Sequence, residues 1–200
     1  MNRLKYILSA FLASVFKNER LIFFEKILDV PYITEAEVDI DVKIVSHDKF
    51  LKIAEKLRTL KINAEENYGW ASLVALAEID GKVVHIRGVM LRKYYSKQIE
   101  REIRINSDSA CLIGAYTVPE YRGRGVAPKV AEKIFRHLNQ LGIEKVYGYI
   151  KSDNLPSLRY ARKVGYRKIG EVNFIKISKL RWYRFKGETK DDYNTLIRMF

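Results

Sequence analysis

Tyr121-Arg122-Gly123-Arg124-Gly125-Val126-Ala127 stands between two segments of different periodicity. Before it, Ala110 to Val118 is a mostly apolar run suited to a buried strand. After it, Val130, Ala131, Ile134, Phe135, Leu138 and Leu141 recur at helical spacing until Gly142, which sits where a helix-ending glycine belongs. A strand, a glycine-rich turn and a long helix make an anion site. The first N–H groups of a helix have no partner within it, and the aligned peptide dipoles place partial positive charge there. Gly123 and Gly125 let the backbone approach an anion, and Arg122 and Arg124 bring further charge. Two common phosphate patterns fit less well. No Gly-Lys-Ser or Gly-Lys-Thr closes the turn, which excludes a P-loop. Pro128 occupies the place of a dinucleotide fingerprint's third glycine, and the turn falls late in the chain.

Outward from the turn, Val146 to Ile150 predicts a strand and Leu155 to Lys163 a short helix ended by Gly165. Glu171 to Ile177 and Leu180 to Phe185 predict further strands. Upstream, Trp70 to Ile79 and Lys82 to Met90 form a hairpin pattern around Asp80-Gly81, a dipeptide that suits a type I′ turn with positive φ at both central residues. Residues 94–107 are polar and read as a surface helix or loop. Glu37 to Val45 alternates acidic and apolar residues, as a half-exposed strand does. Asp48 opens a helix whose stripe is Phe50, Leu51, Ile53, Ala54, Leu57 and Leu60, and Leu21 to Phe24 is a short strand. This order predicts an α/β (α+β) fold, a mixed and largely antiparallel sheet flanked by helices. Residues 1–35 are expected to be an N-terminal extension and 36–200 the main domain.

Two hundred residues suit one domain with a substantial core. The lone Cys111 allows no intramolecular disulfide, so a reducing, cytoplasmic setting is expected. Cys111, His47, His85 and His137 lack ligand-like spacing, and no metal is expected. The net charge of +13 favours an anionic partner: nucleic acid, an acidic membrane or a polyanionic small molecule. The apolar run Tyr6 to Phe16 is too short to span a bilayer, and no cleavage site follows it. Its Leu4, Ile7, Leu8, Phe11, Leu12 and Val15 share one helical face. That amphipathic helix is expected to pack on its own domain or on a second copy in a homodimer. Peripheral membrane contact through 1–18 is the alternative.

Residues 122–127 match the pattern Arg/Gln-x-x-Gly-x-Gly/Ala, with Arg122, Gly125 and Ala127 at its defining positions and Pro119-Glu120-Tyr121 leading in. Asn154, Ser157 and Gly165-Tyr166 are similar to a second element, Asn-x-x-Ala/Ser followed by Gly-Phe/Tyr. Through these two motifs, over about 38–178, the chain resembles the GNAT N-acetyltransferases. The resemblance implies acetyl-CoA as cosubstrate and direct transfer of an acetyl group to a primary amine. It implies that Arg122, Gly123, Arg124, Gly125, Val126 and Ala127 hold the pyrophosphate. Ala115, Tyr116 and Thr117 would offer backbone groups to the pantetheine arm and the acyl carbonyl, whose oxyanion a fixed N–H stabilises. Asn154 and Ser157 would lie on the pantetheine side.

The match fails at the proton-transfer residues. Many relatives carry a tyrosine seven residues after the motif asparagine, where this chain has Ala161. Tyr160 is adjacent, about 100° round a helix, and is the candidate acid. Tyr149 stands where some relatives have a glutamate base, and suits an acid or hydrogen-bond partner better. His85 is the candidate base on intrinsic chemistry, while Cys111 reads as a core thiol. An amino sugar is among the primary amines the resemblance implies, and the basic excess and the amphipathic start suggest an anionic or membrane-linked acceptor, such as a nucleotide-sugar or lipid-linked glycan precursor. The alternative is a CoA-binding or nucleic-acid-binding protein on the same scaffold without transferase activity. Lys179 to Lys186, which interleaves cations and aromatics, reads as a stacking platform or, more simply, as a protected edge strand.

Overall fold

The computed structural model describes residues 16–29, 32–37, 39–54, 57 and 64–200. The expected N-terminal helix stripe, Leu4 to Val15, lies outside the described residues, as does Leu60 of the helix opened by Asp48. Among the described residues, ten strands and five α-helices follow in chain order: β1 (Phe16–Ile27), β2 (Asp41–Ser46), α1 (His47–Ala54), α2 (Ala64–Tyr68), β3 (Leu73–Ile79), β4 (Lys82–Met90), β5 (Lys93–Ser96), β6 (Arg101–Arg104), β7 (Ser109–Thr117), α3 (Val126–Gln140), β8 (Lys145–Lys151), α4 (Leu155–Lys163), β9 (Arg167–Ile177), β10 (Leu180–Gly187) and α5 (Lys190–Met199). Eight strands form one sheet in the order β10-β9-β1-β8-β7-β4-β3-β2, and β5 pairs β6 in a separate ribbon. Every neighbouring pair in the large sheet is antiparallel except β7 and β8. A parallel pair needs a crossover, and α3 supplies it. The glycine-rich turn therefore sits at the C-terminal end of β7.

Helices α1, α2 and α5 cover one face through Phe50, Ala54, Ala64, Tyr68, Leu196 and Met199. The other face is covered by α3 and α4 through Val130, Ile134, Leu138, Ala161 and Val164. The mixed, largely antiparallel sheet with flanking helices is as expected. The Asp80-Gly81 hairpin is present, with φ of 49° and 72° at the two residues.

Five elements differ from expectation. The short strand at Leu21 to Phe24 is the twelve-residue β1, paired to both β8 and β9. Residues 16–27, grouped by sequence with the extension, thus form an interior strand of the same sheet as β7. Leu21 and Phe23 are fully buried in one core and Phe24 lies in the other, which is what an interior strand requires. The hairpin's first strand begins at Leu73 rather than Trp70, after the short helix α2. Residues 94–107 are not a helix or plain loop but carry β5 and β6, where Tyr94, Ser96 and Ile103 turn inward and Lys93, Tyr95 and Arg104 outward. Helix α5 has a local signal of its own, absent from the expected elements: Thr189 caps it by accepting the Asp192 N–H at 3.1 Å, with Asp191 and Asp192 in its first turn.

Candidate active site

β7 and β8 pair from Ser109↔Lys145 to Leu112↔Gly148 and no further. The cause lies on β7's other side. Against β4, Arg87 pairs Ala115 and Gly88 pairs Ile113, so Gly114 is an extra residue in β7. Such a bulge bends its strand. The two parallel strands diverge beyond it, and the facing edges of Ile113–Thr117 and Tyr149–Lys151 have no ladder partner on that side. Between them opens a cleft lined by Leu112, Gly114, Ala115, Tyr149, Asn154 and Tyr160, among others.

At the end of β7 a short turn at Pro119–Tyr121 leads into Arg122-Gly125 and then α3. Gly125 caps α3 in a left-handed conformation, φ 79°, and no side chain caps the helix. The helix start is left to an external acceptor. The two glycines of the turn serve different ends. A Cβ on Gly125 would meet Ala36 Cα at 2.9 Å and Glu35 O at 3.0 Å, whereas one on Gly123 would meet nothing within 4 Å. Gly125 serves packing, and Gly123 faces open space. Arg122 donates from Nε to the Thr117 carbonyl at 3.0 Å and lies over the Tyr116 ring, pinning the turn to the strand.

A second cavity runs along this turn, lined by Tyr116, Thr117, Arg122, Gly123 and Gly125 to Ala127. It shares Arg87, Ala115, Asn154, Ser157 and Tyr160 with the cleft, so the two are continuous. All the expected cofactor residues except Arg124 line this combined space. Arg124 instead lies over the Tyr121 ring, 5.9 Å from its centroid. Asn154 also shapes the backbone, because its Oδ1 accepts the Ser157 N–H at 3.2 Å and starts α4. On the far side, a third cavity lined by Lys17, Trp70, Tyr95, Ser96 and Lys97 meets the cleft at Gln98, Gly114, Tyr149 and Lys151.

The proton-transfer candidates separate clearly. Tyr160, on α4, brings its hydroxyl to the cleft, where it accepts from Arg87 Nη1 at 3.0 Å and makes a long 3.4 Å bond to the Ala127 carbonyl. Tyr149 stacks between Phe23 and Tyr94, donates to Gln98 Oε1 at 2.9 Å and lies 3.2 Å from Ser96 Oγ. Burial pushes its pKa up to about 12, so it is a neutral donor at physiological pH. His85 is placed otherwise than expected. It is fully buried, its Nδ1 lies 2.7 Å from Thr117 Oγ1, and it does not line the cleft. Burial first, and the neighbouring Arg87 charge second, push its pKa down to about 3. An imidazole so weakly basic and so enclosed braces Thr117; it is not a base for a substrate in the cleft. Cys111 is buried with its thiol pushed up to about 12 by burial, which removes it as a nucleophile.

Arg87 was not anticipated. The available signal was a cation in the otherwise apolar run Val83 to Met90. It lies at the junction of the cleft and the turn cavity with only 9% exposure.

Residues 42–166 match the acetyltransferase (GNAT) family model, more than half of the chain, and the chain belongs to that family. Its fold is that of solved members. A GNAT-family structure from Novosphingobium aromaticivorans aligns with a TM-score of 0.55 at 19% identity, covering 82% of this chain and 66% of that one. A GNAT-family acetyltransferase from Colwellia psychrerythraea aligns with a TM-score of 0.53 at 16% identity, covering 88% of this chain and 62% of that one. The chain thus spans just under two thirds of the length of either structure. No curated protein matches its sequence. Among the described residues, no helix is long and apolar enough to cross a membrane and no side-chain group is arranged to hold a metal ion.

Proposed function

We propose that this chain is an N-acetyltransferase that moves an acetyl group from acetyl-CoA directly to a primary amine, with an amino sugar or glycan precursor as acceptor. The observation that carries this reading is the continuity of the space from the uncapped start of α3 to the gap between β7 and β8. The residues present suit CoA. Space above Gly123 and the free helix start fit a pyrophosphate, with Arg122 beside them. Ala115 to Thr117 and Asn154 with Ser157 would flank the arm. Bound acetyl-CoA supplies the acyl group as an activated thioester. The unpaired edge of β7 offers N–H groups fixed in advance for a carbonyl oxygen. Tyr160 is the proton donor for the leaving sulfur, and Tyr149 orients the acceptor side with Ser96 and Gln98. Beyond Tyr149, the exposed rings of Trp70 and Tyr95 and the polar groups around them suit the mixed apolar and hydroxyl faces of a sugar.

The anion site has a direct test. Gly123, at φ 82° and facing open space, accepts Asn or Asp with equal backbone strain. By calorimetry, Gly123→Asp is expected to bind acetyl-CoA at least about tenfold more weakly than Gly123→Asn, because only the former adds a negative charge at the pyrophosphate. Equal affinities for the two variants would refute the placement. Turnover of acetyl-CoA with a panel of amines then separates a transferase from a scaffold that only binds: amino sugars are expected to be acetylated, and CoA binding with no amide product from any amine would favour the scaffold.

A further inference from the structure

Arg87 is a buried cation without an anion. It is more than nine-tenths buried, its Nε has no hydrogen-bond partner, and no carboxylate among the described residues forms an ion pair with it. The groups around it are phenols, a thiol and an imidazole rather than carboxylates: Tyr160, Tyr166 with a buried hydroxyl lacking a partner, Cys111 and His85. A charge removed from water without a counterion is costly, and here it stands on the wall of the cleft rather than in sealed core. Arg159, Lys163 and Arg122 stand on the same turn cavity and add positive charge. An environment of this kind stabilises negative charge that appears only during the reaction.

We propose that Arg87 is the positioning residue for the leaving group, acting through Tyr160, which serves in place of the tyrosine that this chain lacks at Ala161. The inference rests on the acyltransferase reading above. The geometry supports it in two ways. Arg87 Nη1 donates to the Tyr160 oxygen at 3.0 Å, so one lone pair of that oxygen is occupied and the phenol's own proton must point elsewhere. Its present acceptor, the Ala127 carbonyl, is 3.4 Å away, long enough to yield to a better acceptor in the cleft. As the amine nitrogen bonds to the acyl carbon, the C–S bond breaks with its electron pair going to sulfur. Tyr160 gives its proton to that sulfur, and Arg87 holds the phenolate oxygen left behind. The proton lost by the attacking amine then returns to Tyr160, so thioester and amine become thiol and amide. The same guanidinium favours the loss of one proton from the pair formed by the Tyr160 phenol and the thiol of bound free CoA, the resulting negative charge resting beside Arg87.

The test compares CoA with desulfo-CoA by calorimetry at pH 7.5 in two buffers of different ionisation enthalpy. In the wild type, CoA binding is expected to release protons, seen as a buffer-dependent heat, and desulfo-CoA binding is not. Arg87→Gln is expected to lose the buffer dependence, to keep its desulfo-CoA affinity within about twofold, and to lose about tenfold or more in kcat at unchanged KM. Arg87→Lys, which restores the charge without the forked geometry, should recover part of both effects. The proposal is overturned if Arg87→Gln still releases protons with CoA, or if its desulfo-CoA affinity falls in step with turnover, which would mark Arg87 as a packing residue. A wild type that binds neither ligand would instead sink the CoA reading itself.

Discussion

Tyr160→Phe is expected to lower kcat by about a hundredfold or more while acetyl-CoA affinity stays within about threefold. The substitution keeps the ring that Arg87 covers, 5.5 Å from guanidinium carbon to centroid, and removes only the hydroxyl. No other hydroxyl on α4 reaches the cleft from the same place, since Ala161 contributes a methyl group and Ser157 lies a turn earlier. The change also strips Arg87 Nη1 of its partner. A cost of about 1–3 kcal/mol in stability is expected from that loss, so a melting curve belongs beside the kinetics. Full turnover in a folded Tyr160→Phe protein would remove Tyr160 as the acid and leave water as the donor.

The largest stability effect is expected at Phe23. Its side chain has no exposure, stacks on Tyr149 at 5.3 Å between centroids, and meets the Phe200 ring edge-on at 5.7 Å. Phe23→Ala should cost about 3–5 kcal/mol in urea unfolding. Because Tyr149 rests on the same ring, the folded fraction should also show weakened acceptor handling, read as a raised KM for the amine. A loss below about 1 kcal/mol would contradict an interior position for β1.

How much could be read without coordinates depended on how far apart the cooperating residues lie. The anion site is local: strand, turn and helix start occupy one short stretch around residues 117–127, and backbone geometry makes the site whatever surrounds it. Tyr160 and Arg87 depend on a meeting of β4 with α4 across 73 residues, which no local pattern encodes. For His85, sequence shows an imidazole with a useful intrinsic pKa but not the burial that suppresses it. Likewise, β1 looked detachable because its partners lie at 145–151 and 167–177. The ribbon β5–β6 was masked by its own charges: Lys93, Arg101, Glu102 and Arg104 suggest solvent, while Tyr94 and Ile103 alone reveal a buried side.

The position of β1 also bears on the order in which the molecule is made. Phe16 pairs Ile177, and Leu21 pairs both Lys151 and Val172, so a strand synthesised before β2 to β7 must wait for partners synthesised after them. Contacts this distant in sequence form slowly, because the intervening loop must close before any of them is rewarded. In the sheet order β1 lies between β8 and β9, so before those two strands are made it has no partner to dock on. The cleft is therefore among the last features to form: Tyr149 acquires its Phe23 support only when the first described strand closes against β8 and β9. Until then, the apolar run Leu21 to Phe24 of β1 is unpaired and open to aggregation or to a chaperone.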